Sequence, residues 1–297
     1  MPGRETASWR SLQRDGPATR GKSDTLGGIR TYRLGTQSWT YFPDWLATFY
    51  PPRMPQADAL AFYAQVFDTV EVNATFHGLP SESTLRTWYD KTPPGFSFAV
   101  KVPREITHDM RLELPAVERK TRELLRIAGL LRDKCGPLLV QLPPSFEPSL
   151  EHRRRLQAFL DLLPIDEYQI AVELRHPSWA DPSTAEALGE RNVAWVLVDG
   201  DQSNARKMLY TADFTYVRWN RSGLPMRNWS ELHYDRAPSL DWWAEQLRAL
   251  PSGVETVYGY MSNEFAGHAP ASLRMLCERL GLPCIDPKAK WPQQVLF

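Results

Sequence analysis

From residue 30 onward the chain alternates between two hydrophobic rhythms. Short runs of β-branched and aromatic residues are followed by stretches with apolar positions three and four apart, the pattern of βαβ units around a parallel sheet. Strands are predicted at residues 30–36, 69–73, 96–102, 137–141, 169–174, 194–199, 214–219 and 256–261. Helices are predicted at 57–67, 82–90, 115–132, 150–163, 182–191, 240–250 and 270–280, with Ser81 as an N-cap and Pro115 in a first helical turn. The connection at 200–212 has no clear period. The runs at 169–174 and 194–199 are almost wholly apolar, as expected of parallel strands covered on both faces. Eight strands in this alternation predict an α/β fold, a single (β/α)8 TIM-type barrel spanning residues 29–297.

Composition narrows this picture without redirecting it. Apolar residues make up 42% of the 297 and aromatics 11%, enough for a large core. No stretch nears the roughly 20 apolar residues of a membrane helix, so no membrane partner is expected. Lys plus Arg and Asp plus Glu are both 35, so the net charge lends no support to nucleic acid as a partner. Cys135, Cys277 and Cys284 are an odd set without metal-type spacing. With no signal-peptide pattern, they point to a reducing, cytoplasmic setting. Residues 1–28 differ in kind, being rich in Gly, Ser, Thr and Arg without apolar period, and read as a disordered basic arm. Oligomeric state is not legible in the sequence.

In a barrel of this class the functional groups stand at the C-terminal strand ends. Polar residues appear there on every predicted strand: Thr36, Gln37 and Ser38; Glu71 and Asn73; Lys101, then Arg104 and His108; Gln141; Glu173, Arg175 and His176; Asp199; Arg218 and Asn220; Asn263 and Glu264. Glu71 and Lys101 lie inside the apolar runs VEV and VKV, where a charge requires a partner. One reading is a buried ion-pair network that closes the barrel mouth. The other is a ligand pocket. In that pocket Glu71 and Glu173 would be an acid–base pair, on a glycoside for instance, and Lys101, Arg104, Arg175 and Arg218 would clamp an anion.

Other chemistries have thinner support. Lys101 as a Schiff-base amine needs a lowered pKa, which a neighbouring Glu71 would oppose. A divalent metal on His108, His176, Glu71, Glu173, Asp199 and Glu264 lacks any ligand spacing, so neither a metal nor an organic cofactor is expected. Trp39, Trp45, Trp179 and Trp219 could stack on a ligand or simply pack loops. Dinucleotide, P-loop and GxSxG motifs are absent.

The segments GTQSWTY (35–41), TVEVNATFHGLPS (69–81), TPPGFSFAVKVPREITH (92–108), GPLLVQLPPSF (136–146), VELRHPSW (172–179), TADFTYVRW (211–219) and NEFAGHA (263–269) follow one another in order. In these the chain resembles the YecE-like family, also called domain of unknown function 72, over about residues 32–280. The resemblance implies a TIM-barrel-like fold and no assigned reaction. Its characteristic polar positions fall on Glu71, Asn73, Lys101, Arg104, His108, Gln141, Glu173, Arg175, His176, Arg218 and Asn263. A His is common in that pattern where Asn220 stands.

The expected function is therefore an enzyme for a small anionic substrate bearing phosphate or carboxylate, using acid–base chemistry at the barrel mouth. Glu71, Glu173, Lys101 and His108 would be catalytic, and Asn73, Arg104, Gln141, Arg175, His176, Arg218, Asn263 and Trp39 would bind substrate. The alternative is a non-catalytic binding module for a phosphorylated metabolite or nucleic acid.

Overall fold

A computed structural model describes residues 30–200, 206–220, 223 and 225–292; the arm predicted at 1–28 lies outside them. The strands are β1 (Thr31–Gln37), β2 (Thr69–Val72), β3 (Ser97–Lys101), β4 (Cys135–Leu142), β5 (Ile170–Leu174), β6 (Ala194–Asp199), β7 (Phe214–Trp219) and β8 (Thr256–Met261). All pair in parallel, and β1 pairs with β8 to close the barrel in sequence order. The helices are α1 (Ala59–Tyr63), α2 (Ala74–His77), α3 (Glu82–Asp90), α4 (Glu118–Ala128), α5 (Leu150–Leu162), α6 (Pro182–Gly189), α7 (Ala237–Arg248) and α8 (Ala269–Leu280). Ser81 caps α3 as the sequence predicts, its hydroxyl accepting from the Thr84 amide at 3.2 Å.

Two differences from the sequence reading concern helices. β2 is followed by two helices, because the one-turn α2 precedes α3, and the described residues 206–213 between β6 and β7 form none. The run at 115–132 is also split. Only Glu118–Ala128 is α-helical, and a 3₁₀ segment continues to Lys134.

Strand periodicity sorts the barrel into an inside and an outside. Val70, Phe98, Val100, Leu138, Val140, Val172, Leu197 and Val217 join the large outer core beneath the helices, whereas Ala99, Leu139, Ala171, Val196, Tyr216 and Tyr260 fill the interior. Two residues beyond each interior position, the side chain faces inward again, one layer nearer the C-terminal mouth. Stepping on from Thr69, Ala99, Leu139, Ala171 and Tyr216 gives Glu71, Lys101, Gln141, Glu173 and Arg218. An apolar interior layer is thus topped by a polar one, by alternation alone.

Closure of the barrel leaves some positions no space. A Cβ on Gly35 would fall 2.0 Å from the Thr69 carbonyl oxygen, a backbone atom that cannot move aside. Gly35→Ala is expected to lower stability by about 3 kcal/mol, read as a fall in the urea midpoint; an unchanged midpoint would show that β1 and β2 are not packed this closely.

Candidate active site at the barrel mouth

Arg218 organises the polar layer. Its Nε and Nη2 donate to the two oxygens of Glu71 at 2.9 Å each, Nη1 donates to Glu173 Oε2 at 2.6 Å, and Nη2 also reaches Gln37 Oε1 at 3.1 Å. Four of a guanidinium's five N–H groups are thereby committed. The remaining carboxylate valences are met from neighbouring strands. Gln141 Nε2 donates to Glu173 Oε1 at 2.8 Å, and the Tyr216 hydroxyl donates to Glu71 Oε2 at 2.8 Å. Gln37 Nε2 in turn donates to Asn220 Oδ1 at 2.7 Å. Arg218, Glu71 and Glu173 are 4%, 0% and 1% exposed, so these charges persist only because they satisfy one another.

Burial works against charge, and for Glu173 and Arg218 the network reverses the balance. For Glu173, burial raises the pKa, but Arg218, Lys101 and the hydrogen bonds from Arg218 and Gln141 outweigh it and hold the group below its usual range. Burial likewise opposes the Arg218 cation, and Glu71 and Glu173 more than offset it. The Tyr216 phenol is pushed well above its ordinary value by burial and by Glu71, so it remains a donor.

The groups above this floor are less enclosed. Lys101, 8% exposed, sets its Nζ 4.1 Å from the centre of the Phe76 ring and hydrogen-bonds to no described residue. Burial lowers its pKa to about 8, with Arg218 adding to the shift while Glu71 and Glu173 oppose it. The sequence argument that a nearby Glu71 would keep the amine's pKa from falling is therefore outweighed by desolvation. Phe76 is placed by α2, whose Thr75 hydroxyl donates to the Lys101 carbonyl at 2.7 Å. His108 meets the same ring edge-on at 5.1 Å. It is carried by a π-helical turn, Glu105–Asp109, in which the Met110 amide donates to the Glu105 carbonyl at 2.8 Å. Burial, then Lys101, Arg104 and Arg175, lower its pKa to about 4, so the imidazole is neutral near pH 7. Arg175 is half-buried beside these groups, and Asn73 has a buried Oδ1 that accepts no hydrogen bond from the described residues.

The other predicted site residues are placed differently. Arg104 is exposed and paired with Asp109 at 3.3 Å. His176 turns Nδ1 toward the Ser178 amide, capping the 3₁₀ turn Pro177–Trp179. Asn263 Oδ1 accepts from the Ala269 amide at 2.8 Å and so holds the start of α8. Trp39, 7% exposed, packs edge-on against Trp88 and Phe98 rather than over the charged layer. Ser38, with φ of 81°, breaks the alternation just before it. Trp45, Trp179 and Trp219 are likewise buried. Asp199 has outward parity, and its Oδ2 receives Trp243 Nε1 at 2.8 Å and the Ser239 hydroxyl on the α7 side.

Sequence reasoning named Gln37 only among the polar strand ends, without a site role, and did not single out Tyr216 or Tyr41. The first two face inward by the same alternation as Glu71 and Arg218. Tyr41 lies close enough to Glu264 and Glu71 for their charges, after burial, to push its pKa up to about 12. Among the described residues no three His, Cys, Asp or Glu side chains gather as a metal cage. Two cavities lined by described residues lie outside the mouth. One, of about 670 Å³, lies between α8 and the outer side of β1; the other, of about 300 Å³, lies beside α7 and α8.

Removing Arg218 would strand two buried carboxylates. Arg218→Met is expected to destabilise the fold by about 3–5 kcal/mol, and adding Glu71→Gln and Glu173→Gln should restore a good part of it. Urea denaturation of the single and triple variants checks this, and equal stabilities would mean that Arg218 is not the counter-ion.

Comparison with known proteins agrees with the geometry. Residues 33–294 match the family described as "Protein of unknown function DUF72". The UPF0759 protein YunF of Bacillus subtilis (strain 168) is 23% identical over 268 residues, covering 79% of this chain and 91% of that protein. Among solved structures, a DUF72 family protein from Thermotoga maritima has a TM-score of 0.72 at 26% identity, covering 84% of this chain and 99% of that one. One from Enterococcus faecalis has a TM-score of 0.71 at 20% identity, covering 89% and 100%. The barrel, its motifs and the family match over nearly its whole length make this chain a member of the DUF72 family.

Proposed function

We propose that this protein is an enzyme that binds a small anionic substrate at the C-terminal mouth of the barrel and transfers a proton through Lys101. The observation that carries the reading is the arrangement of Lys101: a buried amine that hydrogen-bonds to no described residue, standing over a charged floor satisfied from within and flanked by Arg175 and His108. A floor already neutralised from within leaves Lys101 as the cation above it for a ligand, with Arg175 adding positive charge nearby and Asn73 offering an acceptor that no described residue uses. Fixed, desolvated cations of this kind stabilise developing negative charge without reorganisation. An amine with a pKa of about 8 is suited to give or take a proton near neutral pH.

This reading redistributes the expected roles. Glu173 is held ionised and Glu71 has both oxygens occupied by donors, so the carboxylates act as positioning groups that hold Arg218 and set the field at Lys101. Arg218 belongs with them rather than with the anion clamp. Neutral His108 is a hydrogen-bonding partner for substrate and not a cation.

The pH dependence has a definite sign. An anion favours the ammonium form, so affinity is complete below about pH 8 and lost above it. Sulfate affinity, measured by calorimetry, should fall by up to about tenfold per pH unit above pH 8, and Lys101→Met should abolish both the slope and most of the binding. No step is expected near pH 6.5, since His108 titrates at about 4; a step there that His108→Gln removes would contradict its assignment. For catalysis, a panel of phosphorylated and carboxylated metabolites should contain one whose turnover drops by about 10²-fold or more in Lys101→Met. Tight binding across such a panel with no turnover would favour the non-catalytic alternative.

A further inference from the structure

A second polar feature lies outside the mouth, where α7, α8 and the segment preceding α7 meet. The cavity there, about 300 Å³, is lined among others by Arg236, Ser272, Leu240, Ala266 and Met275. Its wall is fixed from behind. Gly267 has φ of 116°, and a Cβ on it would fall 2.4 Å from the Glu231 carbonyl and 2.5 Å from the His233 ring. Only glycine lets that segment approach so closely. The His233 amide then donates to the Ala266 carbonyl at 2.7 Å, and its Nε2 meets the Asn228 carbonyl at 3.0 Å.

Two groups in this lining have no hydrogen-bond partner among the described residues. They are the Ser272 hydroxyl, on a residue 1% exposed in the first turn of α8, and Arg236 Nε. The Arg236 guanidinium sits 4.6 Å from the centre of the Phe265 ring. Its carboxylate neighbour, Asp199 Oδ1, is 3.8 Å away, within ion-pair range but beyond a hydrogen bond. The other Asp199 oxygen is occupied by Ser239, Trp243 and Arg206. A buried donor left unmade is costly in itself, so an acceptor placed between Arg236 and Ser272 gains more than it would in water. The positive end of α8 adds to this.

We propose that this cavity is a binding site for a small organic monocarboxylate, separate from the mouth. Its carboxylate oxygens would take the free hydrogen-bonding capacity of Arg236 and Ser272, and its apolar body would lie against Leu240, Ala266 and Met275. Asp199 already balances part of the Arg236 charge, and Asp235 lines the same cavity. A single negative charge is therefore favoured over the double charge of a phosphate, whose further oxygens would face apolar side chains.

The test is calorimetric titration of the full-length protein with benzoate and with hexanoate. In Lys101→Met, which disables the mouth, saturable binding of one molecule per chain is expected, weakened about tenfold on adding Ser272→Ala or Arg236→Gln. Ser272→Ala removes a hydroxyl that bonds to nothing, so its thermal midpoint should match the parent and a loss of affinity there cannot be ascribed to unfolding. The proposal is overturned by absence of saturable binding up to about 10 mM, a weak limit for any specific small-ligand site. It is also overturned if both variants retain full affinity, if Lys101→Met abolishes benzoate binding, or if inorganic phosphate binds the Lys101→Met protein, whose mouth is disabled, as tightly as benzoate does. Failure here leaves the reading of the mouth untouched, because none of the mouth cations lines this cavity.

Discussion

Everything at the mouth depends on one constraint: two carboxylates and one guanidinium share an interior from which water is excluded. Arg218 satisfies it by dividing its planar fork between Glu71 and Glu173, a geometry that a lysine ammonium could not reproduce. Gln37, Gln141 and Tyr216 complete the set. The participants come from β1, β2, β4, β5 and β7, so the network spans the ring. It reports on barrel closure as much as it prepares chemistry, and it sets the field in which Lys101 sits.

The fold was largely legible because a parallel barrel writes itself twice, as apolar strand runs and as an internal alternation within them. Seven of the eight strands start and end within a residue of the sequence-based assignment, and β4 departs furthest because Cys135 and Gly136 extend it backwards. The crossovers were harder to read. The one-turn α2 is too short for a 3.6-residue period to show, and the π-turn at Glu105–Asp109 has no periodic signature.

The candidate site was legible as a set of residues and much less so as a set of roles. Polar residues at the strand ends flagged Glu71, Lys101, Gln141, Glu173 and Arg218, all of which converge. The same criterion also flagged Asp199, Asn263 and His176, which anchor α7, start α8 and cap a 3₁₀ turn. Parity separates the groups: Asp199 is one residue past interior Val198, whereas Arg218 is two past interior Tyr216. What no pattern could supply is the competition between burial and neighbouring charge. That competition lowers the pKa of Lys101 beside two carboxylates and leaves His108 uncharged.

The π-turn has a consequence of its own. Its Glu105-to-Met110 hydrogen bond spans five residues where an α-turn spans four, so the orientation of His108 depends on how many residues the loop contains. Deleting one residue would let ordinary α geometry form, and one position along a helix is about 100° of rotation, enough to carry the imidazole off the Phe76 edge. Loop length is then a variable of this mouth in its own right: gaining or losing one residue there would re-aim a ring nitrogen without altering any side chain that touches it.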